Sequence, residues 1–337
     1  MRILVSRLQF IGDIILTTPV LEVLRERFPN SQIDYLGEKH AVTLLEKNRD
    51  INDIIQYDFD RPSILEQIRV SSLLRARKYD VAIDLFGNPR SAVVIYLSGA
   101  TMRIGGSFGW RKNLFTHPIV ITERINAVSF HLRYLQPLGI NESFRPPKIT
   151  ITEDEIRSVQ ESLGKIGGRV VGLHIGATWP AKVWPSRSFA RLAEMVFERL
   201  DARVIVTYGP KDSKYISAFS SAVKIPFTPW PPAPLRQLAA LISSCDVFVS
   251  NDAAPMHLSA AVGTPTVGIF GPGEPDIWFP YSESIGHKSF HKNVECCHRD
   301  FCSLKDKEFM RCMNAVQPEE VFHHIESVLS SRGRNRK

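Results

Sequence analysis

Short apolar runs alternate along the chain with longer stretches in which apolar residues recur every three or four positions. The short runs, rich in Val and Ile, predict buried strands, and the longer stretches predict amphipathic helices. The first pair is a strand at 2–5 followed by a helix at 14–28, in which Leu16, Val20 and Leu24 share one face. Such alternation predicts an α/β fold, a doubly wound parallel sheet with helices on both faces.

The same pattern continues to residue 270. The predicted strands are 2–5, 33–36, 53–57, 81–85, 103–105, 170–175, 203–207, 247–250 and 266–270. The predicted helices are 14–28, 40–47, 64–78, 90–97, 126–138, 153–165, 186–200, 213–223, 235–243 and 255–262. A Pro-rich, extended segment at 139–152 separates two similar halves, so we expect domains at 1–150 and 151–337 with a substrate cleft between them.

Composition and charge narrow the classes of partner. Of 337 residues, 44% are hydrophobic and 23% charged, as in a soluble globular protein. The formal net charge is +7, and residues 1–150 carry 20 basic and 15 acidic side chains, a net of +5. This excess predicts an anionic partner, and nucleic acid, an anionic membrane surface and a phosphorylated glycolipid all fit. No nucleic-acid-binding motif accompanies the charge, so we expect no nucleic acid.

The sequence predicts a cytoplasmic protein. Its apolar N-terminal run is interrupted by Asp13 and lacks a cleavage-like site, and no stretch approaches the ~20 apolar residues of a membrane span. The five cysteines should therefore be reduced.

Four of these cysteines cluster near the C-terminus beside one histidine. Zinc sites prefer paired cysteines two to four residues apart, and only half of that pattern is present. Free or packed thiols are therefore the expectation, and no metal is predicted. The cluster consists of Cys296, Cys297, His298, Cys302 and Cys312.

The first candidate residue for chemistry follows the first strand. Gly12 permits a tight turn there, and Asp13 lies at the start of the next helix, near the carboxyl edge of the sheet. The alternative is that Asp13 only caps the helix. The turn is not a dinucleotide-binding loop, because no G-x-G-x-x-G is present.

Two strand ends in the second half offer phosphate and ribose contacts. After the strand at 170–175, Gly176 allows backbone approach, Thr178 offers a hydroxyl, and Lys182 offers the point charge that suits a phosphate. The alternative is a solvated surface lysine. After the strand at 203–207, Asp212 is a candidate ribose acceptor or the cap of the following helix.

A third strand end, after 247–250, precedes a short helix that begins at Ala253 and Ala254. Asp252 is predicted to be its N-cap, and His257 follows one turn later. A helix N-terminus beyond the carboxyl end of a strand favours phosphate. The alternative is an ordinary strand–helix unit with Asp252 as a plain cap and a satisfied, half-buried histidine.

Taken together, these motifs resemble those of the ADP-heptose:lipopolysaccharide heptosyltransferases, glycosyltransferase family nine, over nearly the whole chain. The residues that carry the resemblance are Gly12 to Pro19, Gly176-Ala177-Thr178, Lys182, Trp184-Pro185, Ser250-Asn251-Asp252, Pro255-Met256-His257, Gly263-Thr264-Pro265 and Phe270-Gly271-Pro272.

The resemblance implies a GT-B fold of two Rossmann-like domains facing across a cleft. The N-terminal domain would bind the acceptor, the inner core of lipopolysaccharide, and the C-terminal domain the nucleotide sugar. Transfer would invert the anomeric carbon without a metal or a cofactor beyond the substrate ADP-heptose. It also implies peripheral contact with the anionic inner face of the inner membrane.

The resemblance assigns roles residue by residue. Asp13 matches the general base, Thr178 and Lys182 the diphosphate contacts, and Asp252 and His257 donor-site residues; Asp212 falls near an acidic ribose contact. Ala253 and Ala254 depart from the family, since many members have a hydroxyl and a glycine there, but their amides remain available to phosphate. Another nucleotide sugar, or a sugar-nucleotide epimerase, stays open.

Overall fold

The structure, a computed structural model, describes residues 1–164, 168–294 and 301–335. The chain divides into two compact units, Met1–Thr150 and Ile151–Lys337. Each unit holds a six-stranded sheet whose strands are all parallel, with helices packed against it. The predicted α/β class is confirmed.

The first unit has six strands and five α-helices. Its strands are β1 (Arg2–Arg7), β2 (Gln32–Glu38), β3 (Asp53–Tyr57), β4 (Val81–Asp84), β5 (Met102–Gly106) and β6 (His117–Ile119). Its helices are α1 (Ile11–Leu16), α2 (Thr18–Arg27), α3 (Ser63–Arg77), α4 (Pro89–Leu97) and α5 (Ala127–Arg133), with short 3₁₀ helices at Ala41–Leu45, Gly109–Leu114 and Gln136–Leu138. The strand order is β3-β2-β1-β4-β5-β6.

The second unit repeats this plan. Its strands are β7 (Arg169–His174), β8 (Ala202–Thr207), β9 (Thr228–Trp230), β10 (Val247–Asn251), β11 (Thr266–Ile269) and β12 (Lys288–Phe290). Its α-helices in the described part of the chain are α6 (Glu153–Leu163), α7 (Ser186–Leu200), α8 (Ser213–Ala222), α9 (Leu235–Ser243), α10 (Ala254–Ala261), α11 (Pro275–Trp278), α12 (Arg311–Asn314) and α13 (Pro318–Asn335), with 3₁₀ helices at Pro180–Lys182, Glu283–Ile285 and Asp306–Glu308. The strand order is β12-β11-β10-β7-β8-β9.

In both sheets the order reverses beside the first strand of the unit. β1 lies between β2 and β4, and β7 lies between β8 and β10. In open α/β sheets, ligands bind at the carboxyl ends of the strands where the order reverses, because the flanking loops diverge there. The fold therefore points to the ends of β1 and β4 in one unit, and of β7 and β10 in the other.

The cores form because the central strands each contain a continuous apolar run. Ile3, Leu4 and Val5 of β1 are fully buried, and all five residues of β10 are buried. Strands covered by helices on both faces show such continuous apolar runs. Helix α7 adds Phe189 to the core of the second unit.

The helix predicted at 14–28 is two helices that meet at Thr17. Pro19 has no N–H, so it cannot donate to the carbonyl of Ile15, and the hydroxyl of Thr18 donates to that carbonyl at 2.8 Å instead. The break lets the chain turn directly after α1, which carries Asp13.

Short edge elements were not predicted. The strands β6, β9 and β12 have three residues each, too few for a recognisable period, and they lie at sheet edges. The segment predicted as a helix at 40–47 forms a 3₁₀ helix at Ala41–Leu45. Lys165, the predicted end of the helix at 153–165, lies outside the described residues.

Candidate functional site

At the carboxyl end of β1, the Asp13 carboxylate is held by Arg7. Nη2 of Arg7 lies 2.5 Å from Oδ1 of Asp13, and both side chains are largely buried. Oδ2 of Asp13 accepts a long bond, 3.3 Å, from the N–H of Phe10. Asp13 is the third residue of α1 and not its N-cap, a position that Phe10 occupies. One carboxylate oxygen is thus fixed by Arg7, and the other is weakly engaged.

The end of β4 holds Arg7 in place. Nη1 of Arg7 donates to the carbonyl of Leu85 at 2.7 Å, and the guanidinium lies over the ring of Phe86, 4.7 Å from its centroid. The two strand ends at the reversal point of the first sheet are therefore joined through Arg7.

A fully buried carboxylate, Asp84, shapes that end of β4. It accepts hydrogen bonds from the hydroxyl of Ser91 at 2.8 Å and from the N–H groups of Phe86 and Gly87 at 3.0 and 3.2 Å. Burial raises the pKa of Asp84. Asp84 was not predicted as a site residue because it continues an apolar strand. The sequence does indicate it in one way, because a charged residue within a strand predicted to be buried is unusual and often has a specific role.

In the second unit, Lys182 and Asp252 form an ion pair. Nζ of Lys182 lies 2.6 Å from Oδ2 of Asp252, whose side chain is 7% exposed. Lys182 ends the loop after β7 and Asp252 follows β10, so the pair spans the reversal point of the second sheet. The prediction that Asp252 caps α10 is wrong, because the N-cap is Ala253 and the Asp252 carboxylate turns towards Lys182 instead.

Gly273, after β11, leaves room for the Asp252 carboxylate. A Cβ at this position would lie 2.4 Å from Oδ2 of Asp252. Any side chain there would displace the acid and its lysine.

Asn251, fully buried, fixes the loop that carries Lys182. Its Nδ2 donates to the carbonyl of Gly176 at 3.0 Å, and its Oδ1 accepts from the N–H of Trp184 at 2.9 Å. The loop is thereby held at both ends by one side chain. We did not predict this positioning residue, since nothing in the local sequence shows a contact across 67 and 75 positions.

The start of α10 presents backbone amides. The N–H of Asp252 donates to Ile269 O, and Pro255 has no N–H, which leaves the amides of Ala253 and Ala254 at the helix start. His257, buried one turn later, lies 2.7 Å through Nδ1 from the hydroxyl of Tyr281.

Asp212 lies at a neighbouring strand end, after β8. Its Oδ2 accepts from the N–H of Gly209 at 2.7 Å, and burial raises its pKa. It occupies the N-cap position of α8, but its side chain makes no capping bond there. Thr178, by contrast, is exposed in the loop before Lys182.

The Asp212 carboxylate lies directly over Gly176. A Cβ at residue 176 would lie 1.8 Å from Oδ2 of Asp212, so Gly176→Ala must push the carboxylate away. We expect it to lower the free energy of unfolding by about 1–3 kcal/mol. Chemical denaturation measures this loss.

A double variant identifies the cause. In an Asp212→Ser background, Gly176→Ala should lower the free energy of unfolding by clearly less, because the carboxylate that clashes with the new Cβ is absent. An unchanged cost in that background would show that the strain arises elsewhere.

Among the described residues, no group of three His, Cys, Asp or Glu side chains is arranged to hold a metal ion. Cys302 accepts a bond from the N–H of Met310 at 3.3 Å, and Cys312 is buried. Cys296, Cys297 and His298 of the cysteine cluster lie outside the described residues. No helix of the described chain is long and apolar enough to cross a membrane.

The sequence is similar to proteins named as lipopolysaccharide heptosyltransferases. It is 27% identical to lipopolysaccharide heptosyltransferase 3 of Escherichia coli K12 over 304 residues, covering 82% of this chain and 85% of the relative. It is 26% identical to lipopolysaccharide heptosyltransferase 2 of the same organism over 349 residues, covering 95% and 99%.

Solved structures agree in fold. A glycosyltransferase family 9 protein from Veillonella parvula superposes with a TM-score of 0.86 at 25% identity, over 98% of this chain and 97% of that one. ADP-heptose lipopolysaccharide heptosyltransferase II of E. coli superposes with a TM-score of 0.83 at 22% sequence identity. The superposition covers 99% of this chain and 100% of that one. The expected GT-B class is confirmed. The family model of glycosyltransferase family 9 (heptosyltransferase) matches residues 68–307, so the chain belongs to this family of glycosyltransferases.

Proposed function

We propose that the protein transfers a heptose from ADP-heptose to the inner core of lipopolysaccharide, inverting the anomeric carbon. Family membership supports glycosyl transfer, and the names of the relatives point to a heptose and a lipopolysaccharide acceptor. In this proposal residues 1–150 bind the acceptor and residues 151–337 bind the nucleotide sugar.

In the acceptor unit, Asp13 is the general base. An acceptor hydroxyl is a poor nucleophile, and Asp13 takes its proton through Oδ2 as the oxygen attacks the anomeric carbon. Arg7 holds Oδ1, so the oxygen that receives the proton keeps a fixed direction. A single displacement by the acceptor oxygen inverts the anomeric carbon.

In the donor unit, Lys182 stabilises the leaving ADP. The diphosphate gains negative charge as its bond to the sugar breaks, and preorganised positive groups lower the energy of that state. Lys182, the hydroxyl of Thr178 and the amides of Ala253 and Ala254 are the donors assigned to it. His257 supports the donor site, and Asp212 accepts a hydrogen bond from the ribose.

One observation carries the proposal: the Lys182–Asp252 pair spans the reversal point of the second sheet, beside the N-terminus of α10. A cation held by a buried acid, next to free helix amides, is suited to a diphosphate. We further propose that these groups supply the positive charge without a metal, and that the protein is cytoplasmic and contacts the membrane peripherally.

A panel of nucleotide sugars tests the donor assignment. We expect ADP-heptose and ADP to raise the melting temperature more than UDP- or GDP-linked sugars, since ligands that bind the folded state stabilise it. The shift should persist in EDTA. Stabilisation by a UDP-sugar alone would overturn the donor assignment, and loss of the shift in EDTA would overturn metal independence.

Arg7 is a positioning residue in this mechanism, because it touches Asp13 and not the substrate. Arg7→Met should lower kcat by about 10- to 100-fold with little change in the KM for the donor, while Arg7→Lys should recover part of the loss. Steady-state kinetics of both variants measure this split. An equal rise in the KM for the donor in both variants would contradict the assignment.

A further inference from the structure

Helix α3 of the first unit presents apolar side chains to solvent. Ile64, Leu65 and Ile68 are 73%, 62% and 59% exposed in the whole chain. The opposite face of the helix is packed, with Val70 and Leu74 fully buried in the core of the unit. The exposed face is therefore not required for folding, and clustered apolar residues on a surface mark contact sites.

A second exposed cluster lies at the start of the 3₁₀ helix after β5. Phe108 and Trp110 are 41% and 59% exposed, and the neighbouring Arg111 carries a positive charge. The guanidinium of Arg111 lies 5.7 Å from the centroid of the Phe108 ring. Aromatic rings beside basic groups are typical of the membrane–water interface, where the ring enters the apolar layer and the charge stays in water.

Both clusters lie at the same edge of the first sheet. The start of α3 follows the carboxyl end of β3, and the 3₁₀ helix follows the carboxyl end of β5. β3 and β5 are four strand positions apart in the sheet, so their carboxyl ends are separated by about 19 Å. Asp13 follows β1, between them. The two clusters therefore lie on the side of the first unit that also carries Asp13.

The exposed charged side chains of α3 are basic, which indicates an anionic partner. From residue 63 to residue 78 there is one acidic side chain, Glu66, and it is buried and paired with Arg69. Arg75 and Lys78, at the other end of the helix, are exposed. An apolar start and a basic end on one helix match an anionic lipid surface, where each basic group near the headgroups adds attraction.

We propose that the exposed face of α3, together with Phe108 and Trp110, is the surface by which this protein docks on an anionic lipid bilayer. Ile64, Leu65 and Ile68 enter the boundary between headgroups and acyl chains, and Arg75 and Lys78 contact the lipid phosphates. The choice of partner rests on the proposed function, since a lipopolysaccharide acceptor is embedded in a membrane.

Co-sedimentation with vesicles tests the docking surface. The full-length protein is mixed with vesicles of phosphatidylethanolamine and phosphatidylglycerol, or of phosphatidylcholine alone. We expect binding to the anionic vesicles, weakened by salt. The variant Ile64→Ser/Leu65→Ser/Ile68→Ser should bind at least about tenfold more weakly, because three apolar side chains no longer enter the bilayer. The affinity of the variant Arg75→Gln/Lys78→Gln for anionic vesicles should fall about tenfold, and its affinity for neutral vesicles should change little.

A matched control removes exposed apolar groups elsewhere. Phe197 and Ile285 of the second unit are 39% and 60% exposed, and Phe197→Ser/Ile285→Ser should bind as the wild type does. Absence of wild-type binding, or an equal loss in the control, would overturn the proposal. Self-association that only the α3 variant loses, with vesicle binding unchanged, would assign the surface to a second copy of the chain.

A water-soluble acceptor separates membrane docking from the transfer reaction. With a deacylated, water-soluble core acceptor, the α3 variant should turn over at the wild-type rate, and with a bilayer-embedded acceptor at least about tenfold more slowly. A protein that binds vesicles through α3 but transfers nothing would retain the docking surface and refute the transfer reaction.

Discussion

The variant Asp13→Asn is expected to lose transfer almost completely, by about 10²- to 10⁴-fold in kcat, while its affinity for ADP stays at the wild-type value. The amide has the size of the carboxylate, and its oxygen still accepts from Arg7, so the local structure should persist. It cannot take a proton from the acceptor hydroxyl. Initial rates of transfer, with ADP affinity measured by calorimetry, test both halves of the statement.

A control separates loss of the base from loss of the surrounding structure. Gln9→Ala changes a neighbouring residue of the same turn without touching the carboxylate, and we expect it to retain most of the transfer rate. Substantial transfer by Asp13→Asn, with its fold intact, would remove Asp13 from the chemistry.

The variant Lys182→Ala is expected to weaken ADP binding by about 10- to 100-fold, the usual size of one charge-assisted contact. The loss arises because the diphosphate no longer meets a positive side chain at the end of β7. Calorimetric titration with ADP measures it. Lys211→Ala is the matched control, since Lys211 is an exposed lysine at the neighbouring end of β8 and should leave the affinity unchanged.

Removing Lys182 also leaves Asp252 buried without its cation, which can itself destabilise the loop. The double variant Lys182→Ala/Asp252→Asn removes that charge. We expect it to regain stability but not ADP affinity. Wild-type affinity in either variant would contradict the assignment of Lys182 to the diphosphate.

The fold was predictable wherever burial dictates the sequence. Strands such as β1 and β10 are covered on both faces, so they read as continuous apolar runs. The edge strands β6, β9 and β12 pair on one side only and have three residues each, so their sequences carry little pattern. The break between α1 and α2 depends on Pro19, which the apolar spacing of 14–28 does not reveal.

The candidate residues were predictable because strand ends in a parallel sheet share one edge. Lys182 and Asp252, 70 positions apart in sequence, meet for this reason. Their direct pairing was not predicted, because a helix start offers an aspartate an equally good local role as a cap. Asn251 was not predicted because its partners, Gly176 and Trp184, come from distant segments that only the folded chain brings together. Arg7 was not predicted, although its partner Asp13 lies only six residues later.

The most direct test of heptose transfer is to identify the product formed from ADP-heptose and a lipopolysaccharide core that lacks heptose. Mass spectrometry should show the core gaining one heptose, and NMR should show an inverted anomeric centre together with released ADP, all in the presence of EDTA. A core of unchanged mass, accompanied by an altered free sugar nucleotide formed without acceptor, would contradict the transferase and support an epimerase.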